Sequence, residues 1–303
     1  SGGDAGSGGD AGSGGDAGAG GAMCGGAADC ADADPCTKDA CDATGCLHVG
    51  MCEPLVFAAL GDIPYKPSEE VALASHVASE NALGTAALVL HVGDIKSGAT
   101  PCVEPTYANV AGLLHGFAAP TYIVPGDNEW NDCADPDAAW VLWTKYFLAF
   151  EQAWPDAPPT VHQAVRTENM AFVAGGTLFV GVNLPGGKVQ DAAEWSLRMQ
   201  QDGDWVAEQL ALHADDVVAA VVFAQAEPAA VHAPFVTAMR AAVASFGKPA
   251  MYLCGDGHVF KVQHPWPEPN LLFVEVPAGG AKPLHITVAP STPDGFLIDP
   301  APF

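Results

Sequence analysis

Four times in this chain a short apolar run delivers a Gly-Asp pair. The runs are Ala58-Ala59-Leu60-Gly61-Asp62, Leu90-His91-Val92-Gly93-Asp94, Ile123-Val124-Pro125-Gly126-Asp127 and Tyr252-Leu253-Cys254-Gly255-Asp256, the last continuing into Gly257-His258. An apolar run of this length reads as a buried strand, and Gly-Asp as the turn that ends it. In an open α/β sheet the carboxyl ends of the strands share one edge, where ligands bind. Four such ends bring four carboxylates and an imidazole toward one cleft, the donor set of a divalent-metal site.

The segments between these runs complete the expectation. Leu55–Leu60, Ala86–Val92, Thr121–Val124, Val217–Phe223, Ala250–Leu253, Leu271–Val276 and His285–Val288 read as strands, and Gly175-Gly176 as a hairpin between Met170–Val173 and Leu178–Val182. Ser68 reads as the N-cap of a helix running to about Asn81. Further helices are expected near Tyr107–Phe117, over Pro136–Glu151 with Trp140, Trp143 and Phe147 on one core face, and over Asp191–His213 with a break near Gly203. Helices separate the early strands and strand pairs dominate the end. The predicted fold class is α/β: a layered α/β-β-α sandwich of two mixed sheets flanked by helices, with a small disulfide-rich N-terminal module. Eight regular βα units, as in a TIM barrel, are not visible.

Residues 1–22 repeat Ser-Gly-Gly-Asp-Ala-Gly, have no apolar side chain larger than Ala, and are expected to be a disordered acidic tether. Residues 23–53 hold Cys24, Cys30, Cys36, Cys41, Cys46 and Cys52, six of the nine cysteines. An even number in a short polar stretch reads as a disulfide framework and an oxidising compartment, with fifteen pairings open. Zinc is the competing reading, with no C-x-x-C pair and His48 as its one histidine. Asp29, Asp32, Asp34, Asp39 and Asp42 read as solvated turns, with calcium binding as the alternative. The run from Asp34 to His48 resembles a short cysteine-rich repeat of secreted bacterial and slime-mould proteins, which implies a secreted or cell-surface setting. No signal peptide is visible; an exported form would have lost it.

From 54 to 303 the chain reads as one globular domain. Its net charge of −25, from 11 Lys+Arg against 36 Asp+Glu, argues against nucleic acid or an anionic membrane as partner. No run is long enough for a transmembrane helix. An anionic substrate would need metal ions to offset the repulsion.

The ordered set Gly61-Asp62, Gly93-Asp94, Gly126-Asp127-Asn128-Glu129 and Gly255-Asp256-Gly257-His258 resembles the calcineurin-like metallophosphoesterase superfamily over roughly residues 55–290. The blocks Gly61-Asp-Ile-Pro-Tyr65 and Gly126-Asp-Asn-Glu-Trp130 resemble a divergent branch that carries Gly-Asp-Asn-Glu-Trp. The resemblance implies a β-sandwich flanked by helices with two divalent metal ions at the strand ends. Asp62 and His258 would ligate the first ion, Asp94 would bridge both, and Asp127 and Asp256 would complete the metal set. Pro64, Asn128 and Asp256 replace histidines of the family pattern. The lone-histidine region falls at Phe223-Ala224-Gln225-Ala226-Glu227, where Gln225 or Glu227 is the substitute oxygen donor. Exchange of imidazoles for oxygen favours Mn, Mg or Ca over zinc.

The implied partner is a small phosphoester, with Asn128 and Lys96 as the groups that touch it in catalysis. Lys96 also reads as a loop lysine facing solvent. Asn128 cannot donate a proton as the family histidine does; Tyr65 is the replacement donor, against a packing role on the sheet edge. His91 reads as packed or behind the ligands. Cys102 and Cys133 follow the second and third motifs closely and are expected to form a disulfide beside the site, leaving Cys254 as a buried thiol. Two function classes follow: a secreted or cell-surface metal-dependent phosphoesterase, and a catalytically silent relative that keeps its cation site for stability or recognition. A calcium-dependent surface component is the third.

Overall fold

The structure is a computed structural model that describes residues 24–31, 37–42, 44–50 and 55–303. The tether expected over 1–22, together with Cys36 and Cys52, lies outside the described residues. The chain divides into two compact units. The N-terminal unit carries a two-stranded sheet, β1 (Thr37–Asp42) and β2 (Gly45–Gly50), after a 3₁₀ turn at Ala27–Cys30. Disulfides Cys24–Cys41 and Cys30–Cys46 choose one crossed arrangement from the open pairings. With those thiols joined in pairs, they offer no thiolates for zinc. Asp29 accepts from the Gly25 N–H, and Asp42 accepts from Thr44, as solvated turn residues do.

In the larger unit, β3 (Val56–Leu60), β4 (Leu88–His91) and β5 (Thr121–Ile123) run parallel. Between them lie α1 (Pro67–Leu83) and α2 (Glu104–Leu114), and α3 (Pro136–Phe147) follows. The hairpin expected at Gly175-Gly176 joins β7 (Met170–Ala174) to β8 (Thr177–Gly181), with β6 (Thr160–His162) on the outer edge. Then come α4 (Ala192–Leu212), β9 (Ala219–Phe223), α5 (Ala233–Phe246), β10 (Ala250–Cys254), β11 (Lys261–Gln263), β12 (Leu271–Glu275), β13 (Leu284–Val288) and β14 (Phe296–Asp299).

Two mixed sheets result, ordered β14-β13-β3-β4-β5 and β11-β12-β10-β9-β8-β7-β6. Strand alternation builds the layers. On β3, Phe57 and Ala59 face the inter-sheet core, while Ala58 and Leu60 face α1, α2 and α3. On β10, Met251 and Leu253 join the inter-sheet core while Tyr252 and Cys254 pack with α4 and α5. Rings from both sheets stack between them, Tyr122 on Phe172 at 3.8 Å and Phe172 on Phe179 at 4.9 Å. The expected sandwich of two mixed sheets flanked by helices is the observed architecture. Among the described residues no helix is long and apolar enough to cross a membrane.

Local differences from the sequence reading have physical causes. Ser68 does not cap α1: the helix starts at Pro67, whose missing N–H and fixed φ suit the first position. Glu69 turns back to accept from the Tyr65 N–H at 2.7 Å. The helix expected over Pro136–Glu151 stops at Phe147, because Ala149 takes a left-handed φ of 53°, and resumes as a 3₁₀ turn at Phe150–Ala153. Trp143 and Phe147 are buried on its core face with Trp140 beside them. Gly203 does not break α4. A Cβ there would lie 2.7 Å from the Ala238 Cβ of α5, so the glycine serves close helix packing.

Candidate metal centre

The carboxyl ends of β3, β4 and β5 deliver Asp62, Asp94 and Asp127 to one edge of the smaller sheet. The parallel β9 and β10 deliver Gln225 and Asp256 to the larger sheet's edge. The two edges meet: the Asp256 N–H lies 3.2 Å from both Asp62 carboxylate oxygens. The glycines of the motifs make this possible. A Cβ on Gly126 would collide with the Asp94 carboxylate, and one on Gly255 with that of Asp62. The backbone is left-handed at Asp62 (φ 53°), Asp94 (φ 61°), Asp256 (φ 71°) and His258 (φ 65°). Aspartate tolerates this region better than most residues, yet each such residue costs on the order of 1 kcal/mol that surrounding contacts must offset.

Ligand atoms of Asp62, Asp94 and His258 lie within 4.8 Å of one another. At their centre is the Tyr65 phenol. Its oxygen is 3.0 Å from Asp62 Oδ1, 2.7 Å from Asp94 Oδ2 and 3.2 Å from His258 Nε2. Asn128 donates from Nδ2 to Asp94 Oδ2 at 2.6 Å and to the Tyr65 oxygen at 3.3 Å, and from its backbone N–H to Asp94 Oδ1 at 3.1 Å. Asp127 and Asp256 stand outside the triad. Asp127 Oδ1 accepts from Gln225 Nε2 at 2.9 Å, and Gln225 Oε1 accepts from the Gly186 N–H at 2.6 Å. The Gly186-Gly187 loop is flush with both carboxylates: a Cβ on Gly186 would stand 2.6 Å from Asp256 Oδ2, and one on Gly187 2.6 Å from Asp127 Oδ2. Of the two substitute oxygen donors, Gln225 reaches the cluster. Glu227 instead pairs with Lys261 at 2.6 Å.

Glu129 ties two of the motifs together. Fully buried, it accepts from the N–H groups of Gly126 at 2.6 Å, Asp94 at 3.2 Å and Ile95 at 3.3 Å. Burial pushes its carboxyl up to about 7, partly offset by the Gly126 N–H. His91 is also buried. Its Nδ1 accepts from the Gly93 N–H at 3.2 Å and its Nε2 therefore donates to the Ile63 carbonyl at 3.3 Å, so no nitrogen remains for a cation. Burial holds it down to about 4, hence neutral. Lys96 is not at the solvent: its side chain is buried, its Nζ donates to the Ser97 carbonyl at 3.2 Å, and burial lowers its pKa against the pull of Glu129 and Asp94. Cys102 and Cys133 are joined, with Cα atoms 6.0 Å apart, and both sulfurs pack on the Asn128 carbonyl. Cys254 is free and buried, and burial raises its thiol pKa well above the ordinary value, as expected of an inert thiol.

The electrostatics fit a cation. Burial, then the charges of Glu129, Asp127 and Asp62, push Asp94 well above the carboxylate range. Burial and Asp132 raise Asp127, and burial with Asp127 and Asp62 pushes Asp256 up to about 6. The hydrogen bond to Asp62 raises His258. Carboxylates so crowded and desolvated resist ionisation unless positive charge joins them. The donor set of Asp62, Asp94 and His258, with further oxygens from Asp127, Asn128, Gln225 and Asp256, suits a hard divalent ion.

No family model and no curated protein sequence matches the chain. Solved structures do. Purple acid phosphatase PPD1 from yellow lupin (Lupinus luteus) seeds superposes with a TM-score of 0.55 at 9% identity, over 86% of this chain and 56% of that one. The 5'-nucleotidase of Candida albicans SC5314 gives 0.52 at 9% identity, over 82% and 52%. The chain shares its fold with this phosphatase and this nucleotidase. GAP50 of Plasmodium, described as the anchor in the inner membrane complex, gives 0.50 at 10% identity over 82% and 88%. The metallophosphoesterase-like domain thus spans just over half the length of the phosphatase and nucleotidase chains.

The sequence names Asp62, Asp94, Asp127 and Asp256 as ligands and Tyr65 as a donor. It assigns no role to Glu129, although its place inside Gly-Asp-Asn-Glu is the available signal. The Gly186-Gly187 loop carried only a glycine pair, which most often marks a plain turn.

Proposed function

We propose that the chain is a metal-dependent phosphoesterase that works outside the cytoplasm. The convergence of Asp62, Asp94 and His258 within 4.8 Å carries this reading. In it, these three would hold a first divalent ion where the Tyr65 phenol oxygen now sits, and Asp127 and Asp256 would supply oxygens for a second. Bound ions of this kind polarise phosphoryl oxygens and activate a water at neutral pH. The chain's own residues do the rest. The Asn128 amide, held against Asp94, orients a phosphoryl oxygen. With Asn128 in the place of the family's histidine, the Tyr65 phenol would be the proton donor to the departing ester oxygen, a role that needs bound cations because burial and the Asp94 and Asp62 charges raise its pKa. Glu129 keeps the Asp94 and Asp127 loops in register. Lys96 adds positive charge behind Asp94. The disulfides Cys24–Cys41, Cys30–Cys46 and Cys102–Cys133 support an oxidising, secreted or cell-surface setting.

The deciding assay uses phosphate mono- and diesters with Mn²⁺, Mg²⁺ or Ca²⁺, alongside Asp94→Asn. Metal-dependent turnover lost in the variant is expected; none above the variant ends the enzyme reading. A second reading, a silent cation-stabilised relative, is favoured by Asn128, which occupies the position of the family's acid and has no proton to give. Metal-dependent melting without turnover supports it.

A further inference from the structure

We propose that the cleft beside Tyr65 is the subsite for the alcohol part of the ester, and that it takes a compact, ring-shaped organic group. This rests on the phosphoesterase reading of the same site. The cleft, of about 370 Å³, lies between the β3–α1 loop, the β4–α2 loop and the first turns of α2. Tyr65 belongs to both places: its phenol oxygen touches Asp62, Asp94 and His258, and the residue also lines the cleft. Lys96, two residues beyond Asp94, lines it too. Tyr65 and Lys96 are the residues the cleft shares with the strand-end cluster, so a group leaving phosphorus on the Tyr65 side would depart toward this space.

Shape and lining narrow the class. The volume is near the lower end of the roughly 300–1,000 Å³ of small-molecule sites, enough for one ring and its substituents. Pro64, Pro67 and Pro105 offer flat apolar faces, with Ile95 behind them. At its walls Lys66 is paired with Glu69 at 3.1 Å and Lys96 is buried against Glu129 and Asp94, so the walls offer little free charge and suit a neutral group. A methyl ester fills none of this.

The test uses nonhydrolysable ligands on the full chain loaded with Mn²⁺, by titration calorimetry. Phenylphosphonate is expected to bind at least about tenfold more tightly than methylphosphonate. Thr106→Trp, which fills the cleft from α2, is expected to erase that preference and to leave methylphosphonate within about twofold. Asn109→Trp, one turn along the same face, repeats the test should Thr106→Trp lower the melting temperature. Equal affinity for the two ligands, no binding of phenylphosphonate, or a loss shared by both overturns the subsite. A ring preference that Thr106→Trp removes, in a chain that hydrolyses no ester, upholds the subsite and sinks the phosphoesterase reading alone.

Discussion

Glu194, Arg198 and Asp202 of α4 are gathered with Arg166 and Glu168 from the loop before β7. At the strand ends, Asp62, Asp94, Asp127, Glu129 and Asp256 are gathered with Lys96 and His258. In the first group, Arg198 is fully buried, grips Glu194 through Nε at 3.1 Å and a terminal nitrogen at 3.0 Å, and lies between the Trp130 and Trp195 rings at 4.9 and 4.8 Å. Arg166 reaches the same Glu194 at 2.9 Å. Asp202 accepts from Asn169 at 2.7 Å, and burial pushes its carboxyl up to about 8. Held neutral at pH 7, it leaves two glutamates facing two arginines. The strand-end group has no such balance: five acids face one lysine of lowered pKa and one half-exposed histidine. Protein cations match the acids of one cluster; in the other, the acids outnumber them. That contrast separates a structural polar core from a candidate binding site, although both clusters bury most of their members.

The contrast can be broken at either end. The largest effect is expected from Asp94→Asn: loss of metal-dependent turnover, and metal affinity lowered by more than the 10–100-fold typical of residues behind the ligands. Calorimetry with Mn²⁺ checks the affinity. The metal-free variant is expected to melt no lower than the parent, because it sheds a crowded carboxylate. Tyr65→Phe is next, with kcat lowered by about 10²–10⁴-fold, the usual contribution of a positioned acid, and Mn²⁺ affinity nearly unchanged. A fall in affinity matching the fall in kcat would make Tyr65 a ligand rather than a donor. Arg198→Met should act oppositely to Asp94→Asn: removing one partner of a buried pair costs about 3–5 kcal/mol in denaturant unfolding, with or without metal.

The smallest effect is a pH slope. The Asp202 carboxyl is raised above its ordinary value in the folded chain, so its contribution is present below about pH 4 and lost as pH rises through about 8. Asp202→Asn, which mimics the neutral acid, should flatten the fall in unfolding free energy across that window by at least about 1.4 kcal/mol, the worth of one pKa unit. Added Mn²⁺ should flatten a separate part of the slope, the part due to the strand-end acids. If Mn²⁺ alone removes the whole slope, the two clusters are not independent.

Much of this was legible in the chain. Asp62, Asp94, Asp127, Asp256 and His258 stand at the ends of apolar runs, and a run that is buried on both faces can end only at a sheet edge. The Cys102–Cys133 pair was legible because both cysteines follow those same turns. Asn128 and Lys96 were named, but not their surroundings: the amide is tied to Asp94 and Tyr65, and the lysine is buried rather than in solvent. Glu129 illustrates the limit. Its neighbours in sequence are turn residues, whereas its acceptors serve the backbone of Asp94 and Ile95, which belong to another strand end.

The sequence by itself determined the layered α/β sandwich and the carboxylate-rich strand ends. Both follow from short-range pattern: period-two burial, glycine turns and residue chemistry. Only the tertiary structure decided that Tyr65 stands at the centre of the cluster, that Gly126 and Gly255 each make room for another motif's carboxylate, and that Asp202 is the neutral member of a balanced core. Each of these is a contact between segments far apart in the chain, and burial and field at such a contact exist only once both sheets have closed on each other.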